Sequence, residues 1–110
     1  MKETMILVDG IEIKIEMSKH AEDMCEERGL TEYEAYSMII KLGEDLLTLK
    51  NGEEFSVIDR ELNNAVICSM NSRDFNCVID IITVISNSRV WISRGTKVYK
   101  LNDIDFTVIN

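Results

Sequence analysis

The sequence is poor in several residue types on which common catalytic and binding sites depend. Its 110 residues include no proline, one histidine, one tryptophan and only 6% aromatic residues. A single histidine excludes a metal site built from several histidines of one chain. The scarcity of aromatic rings argues against an extended stacking platform for RNA. Because a glycine-rich phosphate loop and a dinucleotide fingerprint are also missing, we predict a protein that is not an enzyme and holds no metal or cofactor.

Positive charge is scarce as well. The chain has 12 Lys and Arg against 20 Asp and Glu, which gives a formal net charge of −8. Sequence-independent binding to nucleic acid needs a positive surface, so we expect no nucleic-acid partner. A small anionic ligand held by a local group of arginines stays compatible with this charge. The sequence has no long apolar run and no signal-peptide pattern, which predicts a cytoplasmic protein without membrane contact, in the host cytoplasm if a phage encodes it.

The three cysteines, Cys25, Cys68 and Cys77, form no pair with the spacing of a zinc or redox motif. We predict three reduced thiols, of which at least two are buried as small apolar side chains. The length fits a single domain over residues 1–110, which is large enough to form a core without disulfides.

The first part of the chain has clear local signals. Asp9 and Gly10 predict a two-residue hairpin turn after the apolar residues 5–8. Apolar and polar residues then alternate over 11–17, which predicts a strand with one buried face. Residues 19–28 have helical spacing and end at Gly29, and Thr31 with Glu34 forms a capping box that begins a second helix. We expect that helix to end near Gly43.

The second part of the chain is rich in strand signals. Asn51-Gly52 predicts a hairpin between strands 46–50 and 53–59, and residues 71–76 read as a polar loop. Residues 77–86 predict a central strand with both faces covered. Further strands are predicted at 65–70, 90–93, 97–101 and 104–109. The predicted fold is therefore α+β: an antiparallel β-sheet with a helix pair inserted after the first strands, in the order ββ-αα-ββββ.

Residues 87–94 hold the most distinctive side chains of the chain. Alternation places Arg89 and Trp91 on one side of a strand, and Arg94 follows shortly after. A nucleotide base stacks on an indole ring, and a phosphate accepts two hydrogen bonds from a guanidinium group. The alternative is a surface cation–π pair or a tryptophan in a subunit contact.

The predicted ligand-binding set has seven members: Arg28, Arg60, Thr83, Asn87, Arg89, Trp91 and Arg94. Two of the arginines have simpler explanations, because Arg28 suits a helix C-terminus and Arg60 suits a solvated surface. His20 is interpreted as a partly buried packing residue, with a general base as the alternative.

One segment resembles a broad family of small bacterial and phage domains. The signature is His20-Ala21, then Met24, then Glu27-Arg28-Gly29-Leu30-Thr31, followed by an acidic second helix. A later strand, Ile81-Ile82-Thr83-Val84, also matches, so the resemblance covers roughly residues 11–86. It implies a helix pair on an antiparallel sheet.

Two functional branches follow from this resemblance. The chain resembles the toxin ribonucleases of the RelE kind, a branch that usually has a basic surface for the cleaved phosphate. It also resembles the phage anti-Thoeris sponge proteins, small oligomers that bind cyclic ADP-ribose-type and cyclic oligonucleotide signals without cleaving them. The acidic composition favours the second branch.

The sequence supports three hypotheses of function. The first is a sponge that sequesters a small anionic nucleotide in a pocket between subunits, which needs a homo-oligomer; the alternating residues 104–108 offer a sheet edge for a second chain. The second is an acidic protein-interaction module such as an antitoxin, an immunity protein or an inhibitor, whose charge attracts a basic partner. The third is a RelE-like ribonuclease toxin.

Overall fold

The computed structural model describes residues 2–61, 63–73, 76–86 and 96–101. These residues form an α+β fold, and the elements along the chain are β1 (Lys2–Val8), β2 (Ile11–Met17), α1 (Lys19–Arg28), α2 (Glu32–Ile40), a 3-10 helix (Gly43–Thr48), β3 (Glu54–Asp59), β4 (Asn64–Arg73), β5 (Asn76–Ser86) and β6 (Lys97–Leu101). The predicted strands 90–93 and 104–109 lie outside the described residues.

The six strands form one mixed sheet in the order β1-β2-β5-β4-β3-β6. The pairs β2–β5 and β3–β6 are parallel, and the other three pairs are antiparallel. The predicted α+β class is therefore confirmed, whereas the predicted antiparallel sheet is wrong in these two pairs. Both helices and the β3–β4 hairpin lie between β2 and β5 in the chain, and a connection of this length lets β5 enter beside β2 in the same direction.

The first hairpin forms as its sequence predicts. Asp9 and Gly10 have φ angles of 49° and 79°, the positive pair that a type I′ turn requires. Val8 and Ile11 close the turn as cross-strand partners. On β2 the apolar residues from Ile13 onward are buried in alternation, as expected, although Ile11 itself is exposed.

The helix ends also follow their local signals. Ser18 caps α1 by accepting a backbone N–H, and Gly29 ends it with a φ of 68°. The capping box of Thr31 and Glu34 is present at the start of α2. That helix ends at Ile40, a few residues before the predicted stop.

The predicted strand at 46–50 is wrong, because a 3-10 helix occupies most of this segment. Leu42 and Leu46 are both buried while Glu44 between them is exposed. In a strand these three residues would share one face, whereas a helical backbone buries the two leucines and leaves Glu44 in solvent. The predicted hairpin at Asn51-Gly52 is therefore absent, because only one of its two strands exists. The turn at Gly52 lies against β4, where the Gly52 N–H donates to the carbonyl of Met70 at 2.6 Å.

The polar loop predicted at 71–76 is wrong as well. β4 continues to Arg73 and β5 begins at Asn76, so a hairpin replaces most of the loop. The Asn71 side-chain amide donates to a carboxylate oxygen of Asp80 across the two strands. Polar residues can extend a ladder when their side chains find partners on the neighbouring strand.

The core lies between one face of the sheet and the helices. Phe55 is fully buried and meets the ring of Tyr99 edge-on, with the ring centroids 6.1 Å apart. β5 is central as predicted, but Ile82 is 39% exposed, so the expectation that both faces are covered fails there. The other fully buried large side chains are Ile13, Ile15, Met17, Met38, Ile39, Leu46, Ile79, Ile81, Val57, Val66 and Val84.

The cysteine prediction is confirmed. All three thiols are free, with Cys25 and Cys68 buried and Cys77 half-buried. Within the described ranges, no helix has the length and apolar character needed to cross a bilayer.

Candidate functional site

A groove with a volume of about 510 Å³ lies where α1 and the start of α2 meet the ends of β1 and β2. We call it the acidic groove. Its lining residues are Lys2, Met17, Lys19, Glu22, Asp23, Cys25, Glu26, Leu30, Thr31, Glu32 and Tyr33.

The polar wall of the acidic groove is one face of α1. Lys19, Glu22, Asp23 and Glu26 are spaced by three or four residues, so a helix places them in one row on its surface. The α1–α2 corner, which Gly29 makes possible by its left-handed conformation, adds the first turn of α2 to the same groove.

The floor and the rim of the acidic groove are apolar. Met17, Cys25 and Leu30 are buried lining residues that belong to the hydrophobic core. Tyr33 also lines the groove, and its side chain is exposed, with 77% of its surface accessible. The groove therefore combines an apolar base with an accessible aromatic ring.

The charge of the acidic groove is negative. Four carboxylates and two ammonium groups line it, which leaves a formal net charge of −2. Lys2 pairs with Glu32 at 3.2 Å, and Lys19 pairs with Asp23 at 3.2 Å. The hydrogen bond from Lys19 to Asp23 raises the pKa of the lysine.

Burial and the negative charge of the acidic groove together raise the pKa of two buried side chains, Cys25 and Tyr36. Burial raises the pKa of the Cys25 thiol, and the carboxylates of Glu32 and Glu22 raise it further. Burial and the same two carboxylates also raise the pKa of Tyr36. The thiol and the phenol thus stay neutral near pH 7. The same carboxylates that disfavour a thiolate or a phenolate also disfavour an anionic ligand in the groove.

A second groove of about 360 Å³ continues from Tyr33 along α2. Glu34, Asp59 and Glu61 line it together with a single basic residue, Lys41. Both of these grooves in the described part of the chain therefore carry an excess of carboxylates.

Three members of the predicted ligand-binding set lie toward one end of the sheet. Arg28, at the end of α1, donates from Nε to the Val84 carbonyl at 3.4 Å. Thr83 precedes Val84 on β5 and is half-buried. Arg60 is exposed and follows β3, which is separated from β5 by β4. Because neighbouring strands are about 4.8 Å apart, β3 and β5 are roughly 10 Å apart.

A row of polar residues crosses the sheet at this end, buried at Asp59 and Asn64 and half-buried at Ser86. Asp59, Asn64 and Ser86 are successive cross-strand partners on β3, β4 and β5. Asp59 is 1% exposed and accepts a hydrogen bond from the Glu61 N–H at 2.9 Å. The sequence does not predict this row, because the three residues become neighbours only through the pairing register of β3, β4 and β5.

The other four members of the predicted set, Asn87, Arg89, Trp91 and Arg94, lie outside the described residues. His20 is exposed, so its interpretation as a partly buried packing residue is wrong. α1 directs the neighbouring Ala21 into the core, and adjacent helical residues point in directions about 100° apart.

Compared with known proteins, the chain matches no protein-family model, no curated protein and no solved structure. The resemblance to small bacterial and phage domains stays a prediction. Among the residues that the structure describes, no three His, Cys, Asp or Glu side chains come together as a metal site.

Proposed function

We propose that the protein binds a cationic segment of a partner protein in the acidic groove, without catalysing a reaction. The observation that carries this proposal is the net negative lining above an apolar floor. A lysine or arginine of the partner fits both features, because its aliphatic stem packs on apolar surface while its charged end meets carboxylates. The exposed ring of Tyr33 offers a further cation–π contact at the rim.

The charge of the whole chain supports the same function. A net charge of −8 speeds the encounter with a basic partner and disfavours acidic ones. Antitoxins, immunity proteins and inhibitors that cover a basic surface are protein classes of this kind, and the proposal places the protein among them.

Isothermal titration calorimetry with a nona-arginine peptide tests the proposal. The groove variant carries Asp23→Asn and Glu26→Gln, two exposed positions on α1. The matched control carries Glu12→Gln and Glu54→Gln, exposed positions on β2 and β3 that do not line the acidic groove. Each variant removes two negative charges, so a purely global attraction weakens equally in both.

We expect the groove variant to bind the peptide about 5- to 30-fold more weakly than the wild type, since two exposed ion pairs contribute about 1 to 2 kcal/mol together. The control variant should change the affinity less than about threefold, because its charges lie far from the bound side chains. If both variants lose the same affinity for the peptide, binding depends on net charge alone and not on the acidic groove, which would contradict the proposal.

A second candidate function is the sequestration of a small cyclic nucleotide of the cyclic ADP-ribose or cyclic oligonucleotide type, as in a phage anti-defence sponge. The observation in its favour is that Arg28, Thr83 and Arg60 lie toward one end of the sheet, and guanidinium groups are good phosphate ligands. Calorimetry with glycocyclic ADP-ribose and with cyclic di- and trinucleotides tests it. Binding that is lost in Arg60→Ala supports this function, and no heat at micromolar concentrations with any of these ligands contradicts it.

A further inference from the structure

Within the sheet that the described residues form, β1 is an edge strand, and its side away from β2 has a defined hydrogen-bonding pattern. Among the described strands, β1 pairs only with β2. The type I′ turn makes Val8 and Ile11 a hydrogen-bonded pair, and such pairs alternate along an antiparallel ladder. The backbone N–H and C=O groups of Glu3, Met5 and Leu7 therefore point away from β2, toward the open edge.

The side chains at this edge do not protect it. Met5 and Leu7 are 52% and 69% exposed, on the face of β1 opposite to the core. Edge strands of monomeric proteins are usually protected by charges, prolines or bulges. Here the charged residues of β1 are confined to its first two positions, Lys2 and Glu3, and Glu3 pairs with Lys14 of β2 at 3.4 Å.

We propose that β1 pairs in antiparallel orientation with β1 of a second copy of this chain, with Met5 facing Met5 on the two-fold axis. In this register Glu3 faces Leu7 of the other copy, so the three outward residues of each strand form three hydrogen-bonded pairs. A register centred on Glu3 opposes two carboxylates, and one centred on Leu7 pairs fewer residues. The Met5 register uses the whole strand and opposes no like charges.

The charge distribution favours a second copy as the occupant of this edge. β1 contains one lysine and one glutamate, so it is neutral within a chain of net charge −8. Two copies thus meet at a segment that does not repel itself. Because the two-fold axis is perpendicular to the sheet, the two six-stranded sheets join into one and both helix pairs lie on the same face. This assembly goes beyond the proposed function and does not depend on it.

Sedimentation equilibrium of the full chain from about 1 to 100 μM tests the dimer. The chain mass is 12.6 kDa, so the wild type should approach twice that mass. Met5→Pro removes an N–H that faces the open edge and no bond to β2. We expect Met5→Pro to stay monomeric, whereas Met5→Val, which keeps the N–H, should dimerise. Circular dichroism should show that both variants remain folded.

Charge substitutions test the register. Met5→Lys places two ammonium groups side by side on the two-fold axis, so we expect the dimer to weaken at least about tenfold. Leu7→Lys places its ammonium group opposite Glu3 of the other copy, so we expect the dimer to persist or to tighten. A wild type that is monomeric at 100 μM, or a folded Met5→Pro variant that still dimerises, would overturn the proposal. Equal weakening by Met5→Lys and Leu7→Lys would overturn the register.

Discussion

The capping box at the start of α2 gives a stability prediction that can be worked out bond by bond. The Thr31 Oγ1 accepts a hydrogen bond from the Glu34 N–H at 3.1 Å. In return, Glu34 Oε1 accepts from the Thr31 N–H at 3.0 Å and from the Thr31 hydroxyl at 3.0 Å. Thr31→Ala removes both bonds of the hydroxyl and leaves the Glu34 N–H without its partner at the helix N-terminus.

The expected cost of Thr31→Ala is about 1 kcal/mol, within the range of roughly 0.5 to 2 kcal/mol for an N-cap replaced by alanine. For a domain of this length, that cost lowers Tm by about 4 °C. Glu34→Ala should cost a similar amount. The double variant should cost less than the two single costs combined, because both substitutions remove the same Thr31 hydroxyl bond to Glu34.

Urea unfolding monitored by circular dichroism measures these free energies. Thr31→Ser keeps the hydroxyl and serves as the matched control, with an expected change below about 0.5 kcal/mol. If Thr31→Ala unfolds within about 0.3 kcal/mol of the wild type, the Thr31 cap does not stabilise α2. If the two single costs add fully, the shared bond between the Thr31 hydroxyl and Glu34 contributes nothing.

Three further predictions concern the core, the thiols and the β3 region. Phe55→Ala should lower the free energy of unfolding by about 3 to 5 kcal/mol in a urea titration, because Phe55 is fully buried. In a thiol-labelling assay on the folded protein, half-buried Cys77 should react before buried Cys68, whose pKa burial raises strongly. The Lys50 N–H lowers the pKa of Glu53, so Glu53→Gln should destabilise the protein at pH 7, and the difference should fade as the pH falls through that lowered pKa.

Each of these three predictions has a contradicting result. A Phe55→Ala variant within about 1 kcal/mol of the wild type would mean that the ring is not well packed. Labelling of Cys68 as fast as that of Cys77 would mean that β4 opens readily. For Glu53, a lowered pKa contributes stability above the pKa of the unfolded chain and loses it on acidification. A destabilisation of Glu53→Gln that is the same at pH 7 and at pH 3 would therefore exclude the carboxylate as its cause.

The features that could be predicted from sequence are local. The hairpin at Asp9 and Gly10, the helix stop at Gly29 and the capping box at Thr31 each depend on residues within one turn. The residues that decide such a feature are adjacent in the chain, so the sequence contains the whole interaction. The same holds for the alternation along β2.

The features that were missed depend on distant partners. Whether β5 enters the sheet beside β2 in parallel depends on the path of the whole segment between them, which no local pattern encodes. The short apolar run at Leu46 predicts a strand, although such a run suits a helical turn equally well, and the burial of Leu46 in the core selects the turn. In both cases tertiary packing overrode the local preference.

The candidate site was predictable only in part. The acidic row on α1 can be read from the spacing of Glu22, Asp23 and Glu26, but the predicted ligand-binding set contains arginines and none of these carboxylates. The groove itself needs Lys2 from β1 and Glu32 from α2, which only the fold brings together. A site assembled from separate elements leaves no compact motif in the chain.

The most direct test of the acidic groove is a ¹H–¹⁵N correlation spectrum of the protein titrated with nona-arginine at physiological salt, which screens non-specific surface attraction. The proposed function predicts that the shifted amides cluster in the segment 17–33, and that they stop shifting in the Asp23→Asn, Glu26→Gln variant. Shifts spread equally over the other acidic surfaces, including those around Glu12 and Glu54, would contradict the claim that this groove is the binding site.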